Sequence, residues 1–294
     1  MSTLSRRAVK VFWKYCPSLP PLSWAAEIRS ENVTIYHGLR LEHGDDWLVD
    51  GAWPGRFEAG LPTETIEGFF AFSLRVTANE VLIDCPTHPL ERLFLLREEN
   101  RIIASPSVAF ILALTGEDLD SAYPDYLVDN FRVISRISEN YQTMPLANGQ
   151  LLHIIANRRV TISNQLEMKI EYRPLEKSFR DFAEYKDFLV GITAGLHENL
   201  TSKARRAGAY GYAAAISNGY DSPMLNVLTK PYGLKDSVTF SAPGDTEDSG
   251  EHMGPTIGIN VHPINRLGYQ KMSGFPEAEF IAAGSRGEDI VFAE

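Results

Sequence analysis

Apolar and polar positions alternate in short runs through the first half of the chain. Residues 33–41, 68–76, 80–84, 92–97 and 101–105 are rich in β-branched and aromatic side chains, and each predicts a strand. Turn material separates them: Thr77-Ala78-Asn79, then residues 86–89 with a proline at each end, then Glu98-Glu99-Asn100. Residues 106–115 predict a short helix, with Ser105 or Ser107 near its N-cap and Gly116 after its end. Residues 151–163 read as a further hairpin turning at Asn157-Arg158. A succession of antiparallel hairpins predicts a sheet layered on something else.

The pattern changes near residue 175. Residues 174–187 carry Pro174 and many charges, as a linker into a helix would. From 182 to 201, Phe182, Tyr185, Phe188, Leu189, Ile192, Leu196 and Leu200 recur at helical spacing. Beyond that, strand and helix signals alternate. Strands are expected at 209–216, 237–242, 259–264 and 279–283, with helices at 223–231 and 249–258. Such an order predicts a parallel sheet with crossover helices, and ligands in such sheets bind beyond the carboxyl ends of the strands.

Composition narrows the partners. The chain has 294 residues, 28 Lys and Arg against 38 Asp and Glu, and a formal charge of −10, which argues against nucleic acid as the main partner. Lys203, Arg205 and Arg206 form a small basic group that a solvated helix end explains equally well. The two cysteines, Cys16 and Cys85, lack the spacing of a metal site or redox pair. No window reads as a membrane span. The basic N-terminus (Arg6, Arg7, Lys10, Lys14) runs into Pro17, Pro20 and Pro21 rather than an apolar signal region. A cytoplasmic protein is expected.

One loop carries candidate chemistry. Residues 209–216 are small and apolar, as a central strand covered on both faces should be. Ser217, Asn218, Gly219, Tyr220, Asp221 and Ser222 follow, and Pro223 suits a first helical turn. Asp221 or Ser222 is expected to cap that helix. Backbone N–H groups at a helix N-terminus favour an anion, the two serines add hydroxyls, and Gly219 lets the backbone come close to a phosphate. An acid in an anion loop makes most sense if Mg²⁺ bridges Asp221 to phosphate. Ordinary turn chemistry accounts for the same residues.

Ser217 to Ser222 resembles the S-G-G-x-D-S motif of PP-loop ATP pyrophosphatases, with Asn218 in place of the second-position glycine. Residues 66–96, the segment Met144-Pro145-Leu146-Ala147-Asn148-Gly149, and residues 284–292 (GSRGEDIVF) resemble, in order, a glutaminase-type hairpin, a Leu-Pro-Pro-Gly turn and the S-G-E-G-x-D-E-x-F motif of the asparagine synthetase family. The resemblance implies an α+β N-terminal domain of antiparallel hairpins, an Ntn-hydrolase-like remnant, over residues 1–175. It implies an incomplete α/β, Rossmann-like PP-loop domain of the HUP type over 176–294. It further implies ATP and Mg²⁺ as cofactors, Asp221 and Asp289 as metal ligands, and Phe240 and Ser241 beside the nucleotide base. Arg286 stands where the family has glutamate and is a candidate for charge stabilisation, and Ile290 replaces a second acid.

Family members that hydrolyse glutamine need a cysteine directly after the initiator methionine, whereas this chain begins Met1-Ser2-Thr3. The resemblance is therefore to the β-lactam synthetase-like and lasso-peptide cyclase branch, where the amine comes from the substrate. The implied reaction is adenylation of a carboxylate and amide formation, on a small molecule or peptide. The family also continues beyond the point corresponding to Glu294. The alternatives are a fragment, a second chain that completes the site, or a degenerate or partner-dependent homologue acting as a nucleotide-binding or interaction scaffold; a homo-oligomer is the other partner reading.

Other residues point to structure. The acidic run Asp245, Glu247, Asp248 and Glu251 reads as a solvated loop, and His252 and His262 lack partners at ligand spacing. Trp13, Trp24, Trp47 and Trp53 are expected in core or interface packing. Val238 and Phe240 have the spacing of core positions on a strand, which competes with a role in base contact.

Overall fold

A computed structural model describes residues 9–63, 66–88, 91–126, 142–172, 177–241 and 249–265. The protein mixes α and β structure, with several sheets, one of them parallel, and strands predominate. The chain forms two compact units: one holds residues up to Trp53 and Leu61–Lys177, the other Pro54–Gly60 and residues from Ser178.

The first unit is built on two sheets. Strands β1 (Lys10–Tyr15), β2 (Trp24–Ile28), β3 (Asn32–His37), β8 (Leu93–Arg97), β9 (Ile102–Ser105), β10 (Gln142–Pro145) and β11 (Leu151–Ile155) form a seven-stranded sheet in the order β1-β3-β2-β9-β8-β11-β10. Strands β4 (Glu42–His43), β5 (Trp47–Val49), β6 (Ser73–Val76), β7 (Glu80–Asp84), β12 (Arg158–Ser163) and β13 (Met168–Tyr172) form a six-stranded sheet in the order β13-β12-β7-β6-β5-β4. All pairings are antiparallel except β1 with β3.

Period-2 alternation divides the large sheet between two cores. Leu93, Leu95, Ile102 and Ala104 join Leu74, Ile83, Val160 and Ile162 of the second sheet in one apolar cluster. Phe94, Leu96, Ile103, Leu152 and Ile154 point the other way, into a cluster with Ile111 of helix α1 (Val108–Thr115). Ser107 caps that helix by accepting from the Phe110 N–H, and Gly116 ends it in the left-handed conformation at φ +72°.

The expected hairpin over 151–163 does not form. β11 and β12 lie in different sheets, and Asn157, at φ +49°, turns the corner between them. Adjacent runs can pair or part at a short turn with the same local sequence. Here β8 and β10 take the two edges of β11, and β7 and β13 take those of β12.

The second unit holds helix α2 (Phe182–Leu200), strand β14 (Ala214–Ala215), helix α3 (Asp221–Thr229), strand β15 (Asp236–Ser241), helix α4 (Met253–Ile257) and strand β16 (Asn260–Asn265). The three strands are parallel in the order β14-β15-β16. Asp181 caps α2 through the Glu184 N–H. Arg205, read from the sequence as part of a solvated helix end, is buried at 5% exposure. Its Nε donates to the Asn199 carbonyl at 2.9 Å, and its guanidinium lies over the rings of Phe57 and Tyr210. It is a structural cation. No helix among the described residues is long and apolar enough to cross a membrane.

Candidate functional site

The loop at 217–222 follows the carboxyl end of β14 and leads into α3. The strand before it is shorter than the sequence predicts: of residues 209–216, only Ala214 and Ala215 are in ladder pairing, and Ala215 is exposed. The expected strand, covered on both faces, is therefore corrected to a two-residue segment beside β15. The Ile216 N–H extends the pairing by donating to the Val238 carbonyl at 2.8 Å.

Within the loop the two serines meet. The Ser217 N–H donates to Ser222 Oγ at 2.9 Å, the two hydroxyls lie 3.0 Å apart, and the Gly219 N–H reaches Ser217 Oγ at 3.3 Å. The expected side-chain cap by Asp221 or Ser222 is absent: Tyr220 occupies the N-cap position in helical conformation, and α3 already includes Asp221. The Ser222 hydroxyl turns back to Ser217, and that bond replaces the cap. Tyr220 is 95% exposed and Asp221 is exposed on the first helical turn. An acid there interacts favourably with the helix dipole by itself.

A buried polar network that the sequence reading missed fastens this loop to the sheet. Asn226 is 0% exposed. Its Nδ2 donates to the Ala215 carbonyl at 2.9 Å and to the Ser222 carbonyl at 2.7 Å, while its Oδ1 accepts from the Ser237 hydroxyl. Thr239 Oγ1 accepts from the Gly250 N–H at 2.9 Å, and Gly250 lies so close to Ile216 that a Cβ would sit 2.7 Å from that residue's carbonyl. Ser217 and Ser249 form an isolated bridge. The available signal was Asn226 itself, four residues after Ser222 on the helix face that meets the sheet.

The phase of β15 is opposite to the core reading of Val238 and Phe240. Ser237 and Thr239 face the buried side, while Phe240 is 55% exposed. Ser241 ends β15, at the same carboxyl edge of the sheet as the loop. His262, without partners at metal-ligand spacing in the sequence and read as a surface or satisfied structural histidine, lies 2.9 Å from Asp236. Arg286 and Asp289, and with them Ile290, lie outside the described residues, as do Asp245, Glu247 and Asp248. Ser217, Asn218, Gly219 and Tyr220 form the loop, and Asp221 and Ser222 open the first turn of α3 directly after it.

The loop suits an anion in its architecture: strand end, small residues, helix start and two hydroxyls. Gly219 needs no left-handed backbone, and Ser217 Oγ lies 3.5 Å from where its Cβ would be. The metal set is less complete. Asp221 is the loop's single carboxylate, and no group of three potential ligands occurs among the described residues. These residues alone do not make a Mg²⁺ site.

A second set of titratable groups lies in the first unit. Asp50 accepts from Trp24 Nε1 at 2.8 Å and from the Phe72 N–H at 2.7 Å. Burial, reinforced by the nearby Glu91 charge, raises its pKa to about 7 despite those two donors. Burial also raises the Glu91 pKa and lowers that of His88, whose Nε2 is 3.6 Å from Glu91. No family model matches the chain, and no curated protein matches it.

Proposed function

We propose that the second unit binds the phosphates of ATP at the Ser217–Ser222 loop, and that the protein is an ATP-dependent, AMP-forming carbon–nitrogen ligase of the asparagine synthetase-like type. The observation that carries the reading is the strand–loop–helix start at the carboxyl edge of a parallel sheet, with two serine hydroxyls converging there. In the proposed reaction a carboxylate oxygen attacks the α-phosphorus and the α–β anhydride bond breaks. Pyrophosphate leaves, an amine then attacks the acyl carbon, and AMP departs. Ser217 and Ser222, released from each other, would donate to the leaving pyrophosphate, and loop N–H groups would hold its charge. Mg²⁺ would supply charge neutralisation when bound, with Asp221 as one ligand and Asp289 as the second in the family's pattern.

A nucleotide-binding scaffold without turnover is the second reading. It is favoured by the inward-turned serines and by Asp221 being the loop's single carboxylate. Pyrophosphate release from Mg-ATP, measured with amino acids and peptides as acyl acceptors and donors, separates the two. The ligase reading expects release that falls at least tenfold in Asp221→Ala. Nucleotide binding with no release under any condition supports the scaffold, and absence of nucleotide binding refutes both.

A further inference from the structure

The first unit contains a buried cation with no ion pair among the described residues. Arg92 is 3% exposed, and its Nε and Nη2 are buried without a hydrogen-bond partner. These two atoms form one edge of the guanidinium and point the same way, the fork that matches a carboxylate. The protein uses the same edge elsewhere. Arg159 holds Asp84 through Nε at 2.7 Å and Nη2 at 3.0 Å, and Arg101 holds Glu98 through Nε at 2.5 Å and Nη2 at 3.0 Å.

Register shows where Arg92 points. Leu93 and Leu95 face the core between the two sheets, and Phe94 and Leu96 face the α1 side. By alternation Arg92 belongs with Phe94. Phe94 pairs with Ser105, the last residue of β9, and Leu93 pairs with Ile155, the last residue of β11, so Arg92 stands one residue before the three-stranded part of the sheet that α1 covers. The neighbouring Glu91 acts on Asp50, on the opposite face. Arg92 is thus a buried guanidinium on the side of the sheet that carries the Phe94 cluster. A buried charge is costly unless an anion lies against it. Burial lowers the Arg92 pKa to about 10, with no acid among the described residues opposing it, so the group stays charged at neutral pH.

We propose that Arg92 forms a binding site for a small carboxylate with an apolar body, held bidentately by Nε and Nη2. Phe94, on the same side of the strand by alternation, would lie against the apolar part. The site lies in the first unit and does not depend on nucleotide binding at the Ser217–Ser222 loop.

Thermal unfolding followed by tryptophan fluorescence tests this, because all four tryptophans lie within residues 13–53 of this unit. Benzoate and acetate are added at constant ionic strength set with chloride, with inorganic phosphate as a separate arm. Benzoate is expected to raise the midpoint in a saturable way, acetate less so. Arg92→Met is expected to raise the midpoint without ligand and to abolish the benzoate shift. Arg92→Lys keeps the charge but loses the fork, and should bind at least about tenfold more weakly. An equal effect of chloride, a shift retained in Arg92→Met, or no benzoate shift in the wild type overturns the proposal. Saturation by phosphate alone assigns the site to another oxyanion and overturns the carboxylate. If Arg92→Met fails to fold, the comparison of Arg92→Lys with wild type decides.

Discussion

Asn226 is the position where one side chain holds the candidate loop to the sheet. It satisfies the carbonyls of Ala215 and Ser222 and takes the Ser237 hydroxyl, all with no exposure. Truncation to alanine removes three hydrogen bonds, each with a net value of about 1 kcal/mol. The buried Ser237 hydroxyl would be left without that partner, which adds roughly 1 kcal/mol more. Alanine returns about 0.5 kcal/mol in helix propensity. The expected loss for Asn226→Ala is therefore about 3.5 kcal/mol. Asn226→Asp keeps the volume but replaces the donating amide with an acceptor, facing two carbonyl oxygens at 2.9 and 2.7 Å. An unpaired buried charge costs more than a lost amide, so this variant should lose on the order of 4–5 kcal/mol at pH 8. Its folded-state pKa would be raised above the unfolded value. Its stability should therefore recover as the pH falls, when the protonated acid can donate to one carbonyl. Urea unfolding by far-UV circular dichroism reads α2 and α3, while tryptophan fluorescence reads the first unit separately. If Asn226→Asp is as stable as Asn226→Ala at pH 8, the donor role assigned to Asn226 is wrong.

Asp50 gives a pH dependence of the same sign in the first unit. Its folded pKa of about 7 stands above the ordinary 3.8, so the folded state keeps a proton that the unfolded chain releases. Stability should fall as pH rises from about 4 to 7, by at most about 4 kcal/mol and by roughly 2 kcal/mol after allowing for partial exposure. Equilibrium unfolding followed by tryptophan fluorescence across that range should show the slope, and Asp50→Asn should flatten it. A wild-type profile rising over the same window contradicts the assignment. Gly250→Ala would drive a Cβ to 2.7 Å from the Ile216 carbonyl carbon and oxygen, which are main-chain atoms and cannot rotate away. The cost is about 2 kcal/mol or more, read as a lower midpoint by circular dichroism; an unchanged midpoint would show that the 249–250 segment is not seated against Ile216.

Local chemistry determined the elements whose signals are complete within a few residues. The strand at Glu80–Asp84 lies where alternation and the Thr77-Ala78-Asn79 turn put it, and the helix at Phe182–Leu200 follows its spacing to within a residue. Ser107 and Gly116 bracket α1 because a hydroxyl and a missing Cβ act within one turn. That β14, β15 and β16 pair in parallel also followed from strand and helix alternation. Only tertiary structure decided which sheet each strand joined. β11 and β12 are separated by two residues, yet Asn157 sends them apart, because the edges that receive them belong to strands distant in sequence, β8 for β11 and β7 for β12. The same holds for the polar residues that matter most. Arg205 and Arg92 look alike as charges in a sequence. One is closed by Asn199 and two aromatic rings, and the other is left with an unpaired fork, because hydrogen-bond satisfaction depends on groups that folding brings together. In the loop at 217–222, the residue types set the chemistry. The turn of Ser222 back to Ser217, and the hold of Asn226 on both neighbours, came from the packing of α3 on β14 and β15.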